Sequence, residues 1–228
     1  MTPAKGILFD FGGTIDTDGV HWSEKYAELY KEFAVQRSKR DIEQAFIESE
    51  RRMAGDSRLR TATMRETLEI QLKLQFAVLN LKERGLLTTM LDSCYSGLQQ
   101  TIARAAAVLT KLRAVCPLGV VSNFYGNLEI VLKEFAIRDL FSAAVDSEVV
   151  GVRKPDPAIF ALALGRMNVP ARDAVVVGDS YERDIVPAKT LGCTTIWLKG
   201  KSWSEPGSTE AADFTVNAFA DILTILAP

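Results

Sequence analysis

The pattern of hydrophobic and polar positions divides the chain into two kinds of segment. Residues 5–10 form a short apolar run that leads into Gly12 and Gly13, which is typical of a buried strand passing into a tight loop. Residues 23–101 differ, because their apolar side chains recur at helical spacing. This spacing predicts helices over 23–33, 40–53 and 63–79, with Ser23 as the N-cap of the first.

Strand and helix patterns alternate along the rest of the chain. Strands are expected at 118–121, 143–145, 174–177, 194–198 and 214–216, and helices at 128–135, 157–164, 185–191 and 219–226, with a polar loop at 202–207. Such alternation implies parallel pairing, so we predict a doubly wound, Rossmann-like α/β sheet with an inserted all-helical domain. The core is expected to comprise residues 1–15 and 104–228, and the insert residues 16–103.

Composition narrows the classes of partner. The 228 residues include 27 Lys and Arg against 29 Asp and Glu, a formal net charge of -2, so no basic surface for nucleic acid is expected. No apolar stretch approaches the ~18 residues that span a membrane, and the N-terminus does not resemble a signal peptide. These features favour a cytoplasmic protein without membrane contact.

Cysteine and histidine usage excludes several kinds of site. Cys94, Cys116 and Cys193 are scattered and lack CxxC spacing, so we expect core or near-core residues and neither a disulfide framework nor a zinc site. His21 is the single histidine, which rules out a multi-histidine metal site.

Polar residues next to the predicted strands are the candidates for a functional site, because ligands of such sheets bind beyond the carboxyl ends of the strands. Each candidate alone has an ordinary explanation as a turn, a helix cap or a solvated loop. The candidates are Asp10 after the first strand, Ser122 and Asn123 after the second, Lys154 ahead of a helix, and Gly178 and Asp179 after a valine run.

These sites resemble the four motifs of the haloacid dehalogenase-like superfamily, and the resemblance covers nearly the whole chain. The helical insert directly after the first motif is similar to the cap of the subgroup that contains phosphoglycolate phosphatases and β-phosphoglucomutases. Independent turns and caps have no reason to provide the complete set in this order. The motifs are Phe9-Asp10-Phe11-Gly12-Gly13-Thr14, Ser122 in Gly119-Val120-Val121-Ser122-Asn123, Lys154 in Arg153-Lys154-Pro155, and Gly178-Asp179-Ser180 with Asp184.

The resemblance implies a magnesium-dependent hydrolase that acts on a small phosphorylated metabolite. Asp10 would be the nucleophile that forms an aspartyl-phosphate, and Mg²⁺ would be held by Asp10, Asp179 and the backbone carbonyl of Gly12. Lys154 would neutralise the nucleophile and the phosphate, and Asp184 would orient Lys154 or a metal-bound water. The implied catalytic residues are Asp10, Lys154, Ser122 and Asp184, and the implied substrate-binding residues are Asn123, Gly13, Thr14 and His21.

Gly12 departs from the pattern of the family's phosphatases. Those enzymes usually carry a second aspartate two residues after the nucleophile, which protonates the leaving oxygen and later activates water. Such a group is typically worth about 10²- to 10⁴-fold in rate. Asp16, Asp18 or His21 could substitute for it, or the substrate could have a good leaving group, as in an acyl or aryl phosphate.

Two other functions stay open at this point. A binding or regulatory protein would keep the phosphate and magnesium pocket but turn over poorly because of Gly12. Dehalogenases and phosphonatases of the family also lack the second aspartate, but dehalogenases need no metal and generally lack the acidic fourth motif that Asp179 provides. No lysine of the insert is singled out for phosphonatase chemistry, and neither the substrate nor the oligomeric state follows from the sequence.

Overall fold

The computed structural model describes residues 4–201, 207 and 209–226. These residues form a six-stranded sheet with the order β3-β2-β1-β4-β5-β6, in which every neighbouring pair is parallel. The doubly wound, Rossmann-like α/β fold expected from the sequence is confirmed. The strands are β1 (Gly6–Phe9), β2 (Leu118–Ser122), β3 (Phe141–Asp146), β4 (Ala174–Gly178), β5 (Thr194–Leu198) and β6 (Phe214–Val216).

The chain between β1 and β2 folds into helices. Residues 10–117, all of which the structure describes, contain no strand. Their helices are α1 (Trp22–Glu32), α2 (Lys39–Met53), α3 (Met64–Val78) and α4 (Arg84–Arg113), with a 3-10 turn at Ser57–Thr61. The helices predicted at 23–33, 40–53 and 63–79 are present, each within one residue at either end. α4 continues through residue 103, where the sequence analysis places the boundary between insert and core. The assignment of residues 16–103 to a separate domain therefore stays a prediction.

The remaining helices follow the later strands of the sheet. They are α5 (Leu128–Glu134), α6 (Ser147–Val150), α7 (Ala158–Met167), α8 (Val186–Thr190) and α9 (Leu223–Leu226). The helix predicted at 185–191 is preceded by a π-helical turn at Tyr181–Ile185, and the helix predicted at 219–226 begins as a 3-10 turn at Phe219–Ile222. The loop predicted at 202–207 lies outside the described residues except for Gly207.

Both faces of the central strands β1, β2 and β4 are buried, as parallel strands made of continuous apolar runs require. In β1, Ile7 and Phe9 belong to one hydrophobic core and Leu8 belongs to the other, and each is at most 1% exposed. The core of Leu8 includes Phe160 of α7, whereas the core of Phe9 continues into α1–α4. Because β1 lies in the centre of the sheet, the residue that follows it, Asp10, is held inside the protein.

The start of α1 corrects one prediction from the sequence. The N-cap is His21 and not Ser23, because the imidazole Nδ1 of His21 accepts a hydrogen bond from the Ser23 backbone N–H at 3.2 Å. Ser23 consequently lies in the first turn of the helix and is fully buried.

The cysteines are placed as the sequence predicts. Cys116 and Cys193 are buried, Cys94 is half-buried, and all three are free thiols. Among the described helices, none combines the length and the apolar character needed to cross a bilayer.

Candidate active site

Acidic residues from distant parts of the chain meet at the carboxyl end of the sheet. Asp10 follows β1, and its backbone N–H donates to the carbonyl of Val177 in β4 at 2.9 Å. Asp179 follows β4, and Asp184 lies in the π-helical turn beyond it. One carboxylate oxygen from each of Asp10, Asp179 and Asp184 lies within 4.8 Å of the other two.

Lys154 is buried between two of these carboxylates. Its ammonium group contacts Asp10 Oδ1 and donates to Asp184 Oδ1 at 2.6 Å, and the residue is 4% exposed. Burial by itself would lower the pKa of Lys154, but attraction by Asp10 and Asp184 outweighs it and raises the pKa above its usual value. Lys154 is therefore a fixed positive charge at neutral pH.

The cluster contains more acidic than basic groups. Three carboxyl groups face one ammonium group, so full ionisation would leave an excess of two negative charges. Burial, followed by repulsion from Asp10 and Asp184, raises the pKa of Asp179 well above its usual range, and burial raises the pKa of Asp184 to about 6. Hard carboxylate oxygens are the ligands that Mg²⁺ and Ca²⁺ prefer. The donor set and the charge imbalance both fit a divalent cation.

Gly13 and Thr14 position the loop after β1 against Asp179. Thr14 Oγ1 accepts from the Asp179 N–H at 3.0 Å and lies 3.2 Å from Asp10 Oδ2 and 3.1 Å from Asp179 Oδ1. Gly13 has a φ of 103°, and a Cβ atom there would lie 2.5 Å from Asp179 Oδ1. Both residues therefore hold Asp179 in position, and the substrate contact expected from the sequence stays a prediction.

Ser122 and Asn123 lie at the end of β2. Ser122 is buried and lines the cavity described below. The side chain of Asn123 accepts from the Lys154 N–H at 2.8 Å and donates to the Lys154 carbonyl at 2.9 Å. The Asn123 side chain thus holds the loop that carries Lys154, which leaves the backbone amide as the group suited to a phosphate oxygen.

A cavity of about 750 Å³ borders the carboxylate cluster. One part of its wall comes from the sheet end and includes Asp10, Gly12 and Lys154. The other part comes from α1–α3, and Trp22 and Phe46 belong to it. The helical segment therefore contributes directly to the space that a substrate of this site would fill.

Two of the three proposed substitutes for the missing aspartate are occupied elsewhere. Asp16 Oδ1 accepts from the Gly13 N–H at 2.6 Å and Asp16 Oδ2 accepts from Trp22 Nε1 at 2.9 Å. Burial raises the pKa of Asp16 to about 7, but the residue does not line this cavity. Asp18 Oδ1 accepts from the Phe219 N–H at 2.6 Å and also lies away from it. Both carboxylates stabilise the loop between β1 and α1.

His21, the third proposed substitute, does line the cavity. Burial, and then repulsion from Arg183, lowers the pKa of His21 to about 4. Its imidazole is consequently neutral at pH 7, and Nδ1 is engaged as the cap of α1. A neutral imidazole can contact a substrate, but it is a poor proton donor to a leaving group.

Several cavity residues were not singled out by the sequence. Glu50 lies four positions after the buried Phe46 in α2, which places it beside the apolar stripe of that helix, but an isolated carboxylate there gives no further signal. The residues missed are Glu50, Gln71, Tyr125, Arg153, Arg183 and Trp197.

Comparison with known proteins identifies the family. The family model of haloacid dehalogenase-like hydrolases matches residues 4–192. The chain belongs to the haloacid dehalogenase-like hydrolases. This match covers most of the sequence and includes all the motif residues that meet at the sheet end.

Curated relatives of this haloacid dehalogenase-like hydrolase include phosphatases. The pyrimidine 5'-nucleotidase YjjG of Escherichia coli K12 is 33% identical over 124 residues, 54% of this chain and 55% of that protein. The phosphoglycolate phosphatase of Yersinia pseudotuberculosis is 35% identical over 130 residues, 54% of each protein. The chain spans between about a third and just over half of the length of the curated relatives it matches.

Solved structures of the family share the fold of this hydrolase. The L-2-haloacid dehalogenase of Xanthobacter autotrophicus, with chloropropionic acid covalently bound, has a TM-score of 0.62 at 17% identity, covering 99% of this chain and 100% of that one. At that identity the likeness shows the fold alone. The protein is therefore a hydrolase of this family with phosphatases among its curated relatives.

Proposed function

We propose that this hydrolase is a magnesium-dependent phosphatase that removes phosphate from a small phosphorylated metabolite through an aspartyl-phosphate on Asp10. The supporting observation is the grouping of Asp10, Asp179 and Asp184 around the buried ammonium of Lys154. A phosphoryl group is densely negative, so a carboxylate can attack it only where cations offset the repulsion. The phosphatases among the curated relatives support the same reaction class.

The residues that would hold Mg²⁺ are Asp10, Asp179 and the backbone carbonyl of Gly12. The excess of two negative charges that full ionisation of the cluster would create supports a divalent ion at this place. When bound, such an ion supplies positive charge that balances the negative charge of the phosphoryl group.

The other side chains of the site have separate tasks. Asp10 attacks the phosphorus atom while Lys154 stays protonated and balances the charge on the nucleophile and the phosphoryl oxygens. Ser122 donates its hydroxyl hydrogen to a phosphoryl oxygen. Asp184 and Asn123 hold Lys154 in place through its ammonium group and its backbone. The helices within 16–103 act as a cap that limits the access of water.

The test is release of inorganic phosphate from a panel of aryl, acyl and alkyl phosphates, with and without Mg²⁺. We expect turnover that requires Mg²⁺, none in Asp10→Asn, and wild-type turnover in the control Asp92→Asn, whose carboxylate pairs with Arg65 on α3 and is 58% exposed. Acid-quenched protein analysed by mass spectrometry should carry a phosphoryl group on Asp10. Full activity in Asp10→Asn would exclude the mechanism.

Gly12 supports one rival function, a phosphate-binding or regulatory protein of this family with little turnover. This rival function predicts that the folded protein binds Mg²⁺ and phosphate but hydrolyses no phosphate ester in the panel. Chloride release from 2-haloacids tests a dehalogenase separately. The acidic cluster that includes Asp179 argues against that activity, because the family's dehalogenases need no metal.

A further inference from the structure

Glu50 brings a carboxyl group to the cavity from α2. Its Oε1 atom accepts a hydrogen bond from the Tyr125 hydroxyl at 2.6 Å and another from Gln71 Nε2 at 2.5 Å. Gln71 Oε1 in turn accepts from the Tyr26 hydroxyl at 2.7 Å. Groups from α1, α3 and the loop after β2 therefore hold this carboxyl group in one orientation.

The second oxygen of Glu50 is open to the cavity. Both hydrogen bonds end on Oε1, and no donor to Oε2 is present among the residues that the structure describes. Oε2 is also absent from the fully buried polar atoms without a partner, so it reaches solvent. Because Glu50 lines the same cavity as Asp10 and Gly12, the solvent that Oε2 reaches lies in the candidate active site.

The surroundings of Glu50 favour exchange of a proton. Burial raises its pKa, and hydrogen bonds from Tyr125 and Gln71 together with the positive charges of Arg183 and Arg153 partly offset the rise. Burial that raises the pKa of a carboxyl group is one way in which enzymes prepare a general acid.

The position that the missing aspartate would occupy is open. A Cβ atom built at Gly12 would meet no atom within 4 Å. The Tyr125 hydroxyl that contacts Glu50 belongs to the loop that begins at Asn123, directly after Ser122 of β2, so the side chain of Tyr125 links that loop to the Glu50 carboxyl group. Gly12 itself lines the same cavity as Glu50.

We propose that Glu50 is the general acid and base of the reaction and takes the role of the aspartate that Gly12 replaces. This inference rests on the proposed phosphatase function. The other buried carboxyl groups of the site already have roles in this mechanism. Asp10 is the nucleophile, and Asp179 and Asp184 belong to the acidic cluster at the proposed metal site. Glu182 also lines the cavity, but it is exposed, and no described residue holds its carboxyl group.

The proton balance of the two steps is complete. As an Asp10 oxygen bonds to phosphorus, the bond from phosphorus to the ester oxygen breaks, and that oxygen takes the proton of the Glu50 carboxyl group and leaves as an alcohol. In the second step a water oxygen bonds to phosphorus while the Glu50 carboxylate accepts a proton of that water. The bond between phosphorus and Asp10 breaks, and phosphate, the Asp10 carboxylate and protonated Glu50 are regenerated.

The test compares substrates that differ in their need for an acid. Glu50→Gln keeps an oxygen that can accept from Tyr125 and Gln71 but has no acidic proton. We expect kcat/KM to fall about 100-fold or more for an alkyl phosphate and less than about fivefold for p-nitrophenyl phosphate, because nitrophenolate leaves without a proton. The matched control Glu48→Gln changes another carboxylate of α2, which pairs with Arg51 and Arg52 and does not line the cavity, and it should change neither value. Thermal melting checks that both variants fold.

Two further measurements exclude a merely structural role. Loss of the base should make the phosphoenzyme accumulate, so Glu50→Gln should release a burst of nitrophenolate equal to the enzyme concentration. Adding Gly12→Asp to Glu50→Gln should restore most of kcat/KM for the alkyl phosphate. An equal loss for both substrates, or no loss, overturns the role of Glu50 while the phosphatase function stands. A wild-type protein that hydrolyses no phosphate overturns the phosphatase function itself.

Discussion

Magnesium is expected to stabilise the folded protein even without substrate. When ionised, the carboxyl groups of Asp10, Asp179 and Asp184 exceed the single ammonium of Lys154 by two charges in a buried cluster, where uncompensated charge is costly. A ligand that binds only the folded state raises the free energy of unfolding by about 2.7 kcal/mol at a concentration of 100 times Kd. For a chain of 228 residues, about 2–4 °C per kcal/mol gives a rise in melting temperature of about 5–11 °C.

This stabilisation should depend on pH in a defined direction. Folding raises the pKa of Asp184 from 3.8 to about 6, so the neutral carboxyl group is favoured in the metal-free protein. Its contribution to stability is complete below about pH 3.8 and is lost as the pH rises through about 6, a difference of about 3 kcal/mol. Magnesium binds the ionised form, so the increase in melting temperature should be larger at about pH 7.5 than at about pH 5.

The assay is thermal unfolding in EDTA and across a magnesium titration at both pH values. Asp179→Asn should abolish the increase because it removes a proposed ligand. Asp92→Asn, which changes an exposed carboxylate in α4, should leave it intact. Absence of an increase in the wild-type protein, or an equal increase in Asp179→Asn, would refute the assignment of the cluster as a cation site.

Three substitutions test the supports of the site. Gly13→Ala should remove both the magnesium-induced rise in melting temperature and phosphatase activity, because a Cβ atom would lie 2.5 Å from Asp179 Oδ1; retention of either contradicts the close approach. Lys154→Gln should lower kcat/KM for phosphate esters by about 10²- to 10³-fold, because a donor that stabilises charge is lost. A kcat/KM that stays within roughly threefold to fivefold of the wild-type value would show that Lys154 has no catalytic role. Asn123→Ala should lower the free energy of unfolding by about 1–3 kcal/mol in denaturant titrations, because two hydrogen bonds to the Lys154 backbone are lost; an unchanged midpoint would show that these bonds do not stabilise the loop.

The sheet and the acidic cluster follow from local information in the sequence. The run at 174–177 is apolar at every position, which a parallel strand buried on both faces requires, and it is part of β4. Asp10 and Asp179 are each next to a strand end, and the carboxyl ends of neighbouring parallel strands share one edge of the sheet. The strand-end position of each aspartate could therefore be predicted from the residues, whereas their proximity around one cation was implied by the family resemblance.

The helical wall of the cavity could not be predicted in this way. The hydrogen bond between Glu50 and Tyr125 joins residues 75 positions apart, and it exists because of how α2 packs near the loop after β2. The pattern along α2 separates buried from exposed positions, but it contains no information about the partner of each face. Only the three-dimensional arrangement distinguishes Glu50 from the surface carboxylate Glu48, which pairs with arginines of its own helix.

The adjacency of β1 and β2 has a consequence for how this hydrolase can diversify. The two strands pair directly, with Ile7 opposite Leu118, although the whole of α1–α4 lies between them in the sequence. The hydrogen bonds between β1 and β2 that align Asp10 with its neighbours thus join strands that precede and follow the helical segment. No residue of α1–α4 takes part in them. Substitutions in the helices can therefore change what the cavity accepts and, through Glu50 of α2, the transfer of protons, while the sheet keeps Asp10 aligned with Asp179.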